Sequence, residues 1–239
     1  MPSHPSDRWH AELWAGQRDI LPLALGVATY GLAFGVLAAQ ADFGVVATAV
    51  MGTTVFAGSA QIMAVQQLVA GAGVGAAIVA GAALNLRLLL VTASLRQELR
   101  GRPAWQVLLG LHLATDENWA LLHATRAAGR PAGYWFLVGG GLVLLAVWVV
   151  TTATAAAFAQ LIPDPDALGL GFAFTAAFVA ILRNLWRGLG DVGPWGVSIA
   201  TTAGLIWLTS LPPAWALVVA GIAGAATAAV TGGGGRADD

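Results

Sequence analysis

The sequence predicts an all-α polytopic membrane protein, and three observations carry that prediction. Of its 239 residues 58% are hydrophobic, only 10% are charged, and the mean hydropathy is +0.76; water-soluble domains carry about 25% charged residues. Gly (31) and Pro (10) stay below the share expected of low-complexity disorder and suit packed transmembrane helices. The net charge is −1 and every one of the basic residues is Arg, which leaves no basic surface for a phosphate backbone and excludes nucleic acid as a partner. Without cysteine there is no disulfide, thiol catalysis or Cys-ligated metal, and the four His are too scattered for a metal motif, so no cofactor is expected.

A membrane-crossing helix needs about 20 mostly apolar residues, so the uncharged stretches convert directly into segments. Residues 1–19 hold Asp7, Arg8, Glu12, Arg18 and Asp19 and lack the apolar core and cleavage site of a signal peptide. They are expected to form a cytoplasmic or interfacial segment, with Trp9, Leu13 and Trp14 near one face of a short surface helix. A single transmembrane domain then occupies residues 20–231. Its first helix, 20–41, carries Gly31 and Gly35, with Gly26 one turn earlier, as a small-residue packing face. Residues 43–86 supply two segments that meet near Gly71 and Gly73, the second running through Arg87 to about Leu95. The Arg96 to Arg102 loop follows, then an apolar stretch, 104–125, interrupted by His112, Asp116, Glu117 and His123.

Residues 131–163 make one long span, Asp164-Pro-Asp166 a turn, and 167–182 a segment that runs into Arg183 and Arg187, with Asn184 as a helix-end residue. Pro212-Pro213 divides the last stretch into two helices before a flexible tail, 232–239. Trp105, Trp135, Trp186, Trp195 and Trp215 lie near segment ends, where interfacial anchors belong. The total is about eight hydrophobic helical segments, with six to eight full crossings.

Eight simple crossings from a cytoplasmic N-terminus would leave the Arg96 to Arg102 loop on the outside, against the positive-inside tendency. The conflict disappears if 44–70 and 104–125 are broken or re-entrant segments that return to the face they entered from. Arg126, Arg130, Arg183 and Arg187 then fall inside with that loop, and Asp164 and Asp166 fall outside. Backbone that is not helical at membrane depth survives only against protein or a watery cavity, so such breaks mark a solute path.

Three groups of residues carry candidate chemistry. Phe56-Ala-Gly58-Ser59-Ala-Gln61 sets small and polar residues in an apolar run; it is either an opened, ligand-facing segment or a close packing face. Arg87 sits in an apolar span, where a charge costs about 2.5–3.5 kcal/mol on the insertion scale, so it either has a partner or snorkels to the interface. Asn85, two residues earlier, lies about 200° away on a regular helix and shares a cavity with Arg87 only if the helix is distorted. In the 104–125 stretch, helical spacing puts His112, Asp116, Trp119 and His123 on one face with Glu117 about 100° round. Acids and imidazoles in an apolar helix suggest proton handling; the alternative is a wet interfacial segment.

The motifs Pro22-Leu-Ala-Leu-Gly26 through Gly31-Leu-Ala-Phe34-Gly35, then Phe56-Ala-Gly-Ser-Ala-Gln61, Asn85-Leu-Arg87 and Thr115-Asp116-Glu117, in this order and spacing, resemble the AzlC-type branched-chain amino acid permeases over residues 18–230. Leu88 and Asn118-Trp119 depart from the residues such relatives tend to carry. The resemblance implies a multi-pass bacterial inner-membrane exporter of leucine, isoleucine, valine and sometimes methionine, not an enzyme, working with a small hydrophobic AzlD-like subunit. A homo-oligomer is a further option. On this reading Phe34, Phe56, Gly58, Ser59, Gln61, Asn85 and Arg87 form the substrate site, and Asp116, Glu117 and His112 handle the coupling ion. No P-loop is present, so uphill transport would draw on an ion gradient or on another subunit. Two alternatives come from other classes: an intramembrane hydrolase pairing Ser59 with His112 or His123, which lacks a Gly-x-Ser-x-Gly elbow, and a non-transporting scaffold subunit.

Overall fold

The computed structural model describes residues 5–161, 179, 186, 188–211 and 213–232. The expected turn at Asp164 to Asp166, nearly all of 167–182, Arg183, Asn184, Arg187 and the tail beyond Gly232 lie outside the described residues. Within them the regular elements are helices: α1 (Pro5–Gln40), α2 (Val45–Val55), α3 (Gly58–Val69), α4 (Gly73–Asn85), α5 (Arg87–Ser94), α6 (Arg96–Leu99), α7 (Ala104–His112), α8 (Asp116–Ala127), α9 (Tyr134–Phe158), α10 (Val192–Leu208) and α11 (Pro213–Gly232). Among the described residues three stretches are long and apolar enough to cross a bilayer: Trp9–Gln40, Gly73–Ser94 and Tyr134–Phe158. The chain is an all-α membrane protein.

Its backbone is the pair α1 and α9. Small residues let the two helices approach closely: a Cβ at Gly16 would overlap the Phe136 backbone, one at Gly31 would overlap Thr151, and one at Gly35 would overlap Thr152 and Ala155. The contacts advance together along both helices, so α1 and α9 run parallel. Gly26, expected on the same packing face, has open space where its Cβ would be. The 36 residues of α1 span about 54 Å at 1.5 Å per residue. The N-terminal segment is therefore no separate surface helix: Leu13 meets Gly139 through its backbone and Trp9 packs on Trp135, so residues 9–19 extend the first span along α9. Phe34, Tyr134, Leu144 and Trp148 fill the core at this junction.

Two parallel helices in one membrane need an odd number of crossings between them, and α4–α5 supplies one. The segments on either side are hairpins. Helices α2, α3, α7 and α8 contain 11, 12, 9 and 12 residues, about 14–18 Å each, roughly half the ~30 Å hydrocarbon core. In the first hairpin Gln61 Nε2 donates to Met51 O at 2.8 Å. A straight helix would separate those residues by about 15 Å along its axis, so the chain turns back between them. Helix α2 enters beyond the point where Gly35 meets Ala155, passes Trp148 at Gly52, and α3 then leaves toward the turn at Ala70 to Ala72. Gly71 (φ 71°) and Gly73 (φ 85°) make that turn in the left-handed region open to glycine.

The second hairpin enters from the opposite end. Tyr134 Oη, at the start of α9, donates to Gln106 O near the start of α7 (2.7 Å), while Arg126 at the end of α8 pairs with Glu98 and donates to Ala132 O (2.6 Å). Both ends of 104–127 thus lie beside the beginning of α9. Arg130 reaches Asp19 of α1 at 2.7 Å, and Arg102 stacks over Tyr134 at 3.9 Å. The basic loop, Arg126, Arg130 and Arg18 therefore occupy one end of the molecule, the arrangement that the charge pattern asked of two returning segments. Helices α10 and α11 pack on each other, with Gly224 against Ser198, and α11 rests on α4.

Candidate functional site

The tips of the two hairpins and the junction of α4 with α5 meet at one cavity of about 210 Å³. Drug-sized pockets begin near 300 Å³, so this one suits a small solute. The first tip is strained: Phe56 sits at φ 40°, ψ 47°, a left-handed conformation that costs a bulky residue about 1–3 kcal/mol and persists only where its surroundings hold it. Ala57 lies outside the helical region (φ −136°, ψ 77°), and α3 restarts at Gly58 without a side-chain cap. The amides of Gly58 and Ser59 in this first turn have no partner within the helix, as at any helix start. Gly58 is small because the ring edges of Tyr30 and Trp148 stand 3.0 and 3.1 Å from where its Cβ would be.

The second tip, Leu113 to Thr115, is capped. Thr115 is extended and its Oγ1 accepts from Asn118 N at 3.3 Å, which starts α8 with Asp116 and Glu117 in the first turn, where acids are favoured. Asn118 is fully buried and ties the tip to the scaffold, donating to Leu113 O (3.1 Å) and Leu137 O (2.7 Å). Helices α4 and α5 are interrupted at Leu86, whose amide donates to Ala83 O at 3.3 Å in a tighter turn. Arg87 lines the cavity and Asn85 does not, so the two side chains do not share it.

Arg87 is the hub. One terminal nitrogen meets Asp116 Oδ2 at 2.7 Å and the other donates to Ser59 Oγ at 2.6 Å, so a single guanidinium joins α3, α5 and α8. The side chains are 44% and 37% exposed, so Arg87 neither snorkels away nor is sealed off; the pair stands in an accessible cleft. Glu117 lines the same cavity without a salt bridge among the described residues. The opposite wall is apolar, built by Val27, Leu144 and Trp148 with Phe56 and Leu88, and Tyr30 adds a phenol beside the ion pair. The arrangement provides a cation, one paired and one unpaired carboxylate, and a greasy wall within one small volume.

Of the residues expected at the site, Phe56, Gly58, Ser59, Arg87, Asp116 and Glu117 line this cavity. Four do not. Phe34 is fully buried and stacks on Trp148 at 5.4 Å, behind the wall. Gln61 is a fastener: it accepts from Trp148 Nε1 at 3.1 Å while donating to Met51. Asn85 ends α4 with its Oδ1 buried and unpartnered among the described residues. His112 ends α7, its ring 6.0 Å from that of Phe56. The expectation that His112, Asp116, Trp119 and His123 share a helix face fails for His112, because the helix breaks at Leu113 to Thr115; the other three stay within α8. His123 packs on Trp119 at 4.8 Å, and Trp119 Nε1 donates to Ser94 Oγ at 2.7 Å. Neither histidine lines the cavity, and Ser59 Oγ faces Arg87, so no Ser–His dyad is assembled. Sequence reasoning missed Tyr30, Val27, Leu144 and Trp148, apolar or aromatic residues within two long spans. Only the crossing of α1 and α9 brings them to the breaks.

The fold and site define a class: a multi-spanning membrane protein with interrupted helices around a solute-sized, charged cavity. The chain belongs to the AzlC family, a family of the transporter type; the model described as AzlC protein matches residues 22–162, more than half of the chain and a stretch that contains every residue lining the cavity. No curated protein and no solved structure matches the chain.

Proposed function

We propose that the chain is the large subunit of an inner-membrane exporter of branched-chain amino acids. Leucine, isoleucine and valine are its main substrates and methionine a further one. The observation that carries this reading is the two-sided cavity. Arg87 and Ser59 suit a carboxylate, Asp116 and Glu117 suit an ammonium, and Val27, Leu144 and Trp148 suit an unbranched or branched aliphatic side chain. Helix breaks entering from opposite ends and meeting at mid-depth are the arrangement by which secondary transporters expose one site alternately to two faces. Transport draws on an ion gradient, with the cavity carboxylates as the proton-exchanging groups, and requires a small hydrophobic membrane subunit. The N-terminus and the basic end formed by Arg96 to Arg102, Arg126 and Arg130 face the cytoplasm.

The test is efflux. Cells loaded with dipeptides containing leucine, isoleucine, valine or methionine should release the free amino acids faster with this chain and its small partner than without them. Unchanged release of all four amino acids would overturn the proposal. Leucine efflux from vesicles should also rise when a pH gradient is imposed, and equal rates with and without the gradient would remove proton coupling.

A further inference from the structure

The geometry points to the Arg87–Asp116 pair as an internal stand-in for a zwitterionic solute, one that the solute must split in order to bind. This rests on reading the cavity as the amino acid site and adds how that site is occupied. Arg87 has two terminal nitrogens, and both are engaged, one by Asp116 at 2.7 Å and one by Ser59 at 2.6 Å. A carboxylate that binds the guanidinium end-on, across both terminal nitrogens, therefore competes with Asp116 for it. The released Asp116 is adjacent to Glu117, which already lines the cavity unpaired, so the two acids form the natural seat for the ammonium of the same solute. One internal ion pair is thereby exchanged for two intermolecular ones.

A solute with only one of the two charges breaks this balance. A carboxylate alone takes Arg87 and strands Asp116 beside Glu117 as an uncompensated acidic pair. An amine alone gains Glu117 but cannot relieve Asp116 of its hold on Arg87. Leaving one charge of the pair without compensation costs free energy, an amount that water lessens in a cleft where the two side chains are 44% and 37% exposed. The requirement for both charges on one small molecule is thus set by the Arg87–Asp116 ion pair. The exchange also has a mechanical consequence: Asp116 is the first residue of α8 and Arg87 the first of α5, so splitting the pair frees the tip of the α7–α8 hairpin from α5 and α3.

The experiment uses the full-length chain purified together with its small partner in lipid nanodiscs and measures equilibrium binding of leucine, isoleucine, valine and methionine. Two half-molecules of leucine are included: 4-methylpentanoate, which lacks the ammonium, and 3-methylbutylamine, which lacks the carboxylate. Wild-type protein should bind each half-molecule at least about tenfold more weakly than leucine. In Asp116→Asn, where Arg87 is free, 4-methylpentanoate should bind at least about tenfold more tightly than it does to wild type, while leucine weakens. Equal binding of leucine and 4-methylpentanoate by wild type, or no gain in Asp116→Asn, would overturn the exchange while leaving amino acid binding intact. Failure of all four amino acids to bind would instead overturn the proposed function and the exchange with it. The wild-type comparison stands even if the variant fails to fold.

Discussion

The two hairpins reach the same cavity but are built on different principles. The α2–α3 tip is made of small residues and backbone. It is uncapped, strained at Phe56, and held from outside by Gln61, which binds Met51 O and Trp148 Nε1. The α7–α8 tip is held from within, by the Thr115 cap and by buried Asn118, and it carries the acids. One hairpin offers hydrogen-bonding backbone at a fixed place; the other offers charge on a self-contained helix end that can be held or released by Arg87. The difference teaches that a re-entrant segment need not supply chemistry with the same parts to be placed at the same depth.

Substitutions at five positions test that division, beginning with the largest effect. Arg87→Gln or Asp116→Asn should each lower leucine efflux at least about tenfold, since each removes a charged hydrogen bond at the solute site. Their abundance in the membrane fraction should stay near wild type. Near-normal efflux by both would remove the charged hub from the account. Gln61→Leu should act through the scaffold instead, destabilising the protein by about 1–3 kcal/mol because the buried Trp148 N–H loses its acceptor, read as a lower midpoint of thermal unfolding in detergent. An unchanged midpoint would mean that the α2–α3 tip does not depend on this fastener.

Thr115→Ala should cost about 0.5–2 kcal/mol through loss of the α8 cap, with Thr115→Ser near wild type. If both variants lose the same stability, the cap is not what starts α8. Ser198→Ala, outside the family-matched region, removes the α10–α11 hydrogen bond to Ala220 O and should cost about 0.6 kcal/mol with leucine efflux unchanged. A loss of efflux there would tie the C-terminal pair to the cavity.

Much of this was legible in the residues. The misfit between the Arg96 to Arg102 loop and simple crossings pointed to both returning segments, because charge placement records topology directly. Arg87 and the Asp116–Glu117 pair stood out because ionised groups are costly in an apolar span and need a reason to be there. What failed was inference from helical periodicity across a break. His112 was aligned with Asp116 on one face, but an interruption at Leu113 to Thr115 resets the phase, and nothing short of the backbone conformation reveals by how much. Phe34 and Gln61 were read as ligand contacts because they lie within the motifs. Their true partner is Trp148, more than eighty positions away, and a contact at that separation has no local signature.

The central claim is that the α2–α3 and α7–α8 hairpins enter the membrane from opposite faces and each returns to its own. The chain contains no cysteine, so single cysteines can be introduced without altering the background. Gln97→Cys and Ala128→Cys flank α7–α8, and Ala70→Cys lies at the far turn after α3; all three positions are exposed. Labelled with a membrane-impermeant maleimide in oriented vesicles, Gln97→Cys and Ala128→Cys should react from one side and Ala70→Cys from the other. Reaction of Gln97→Cys and Ala128→Cys from opposite sides would make 104–127 a full crossing and contradict the account.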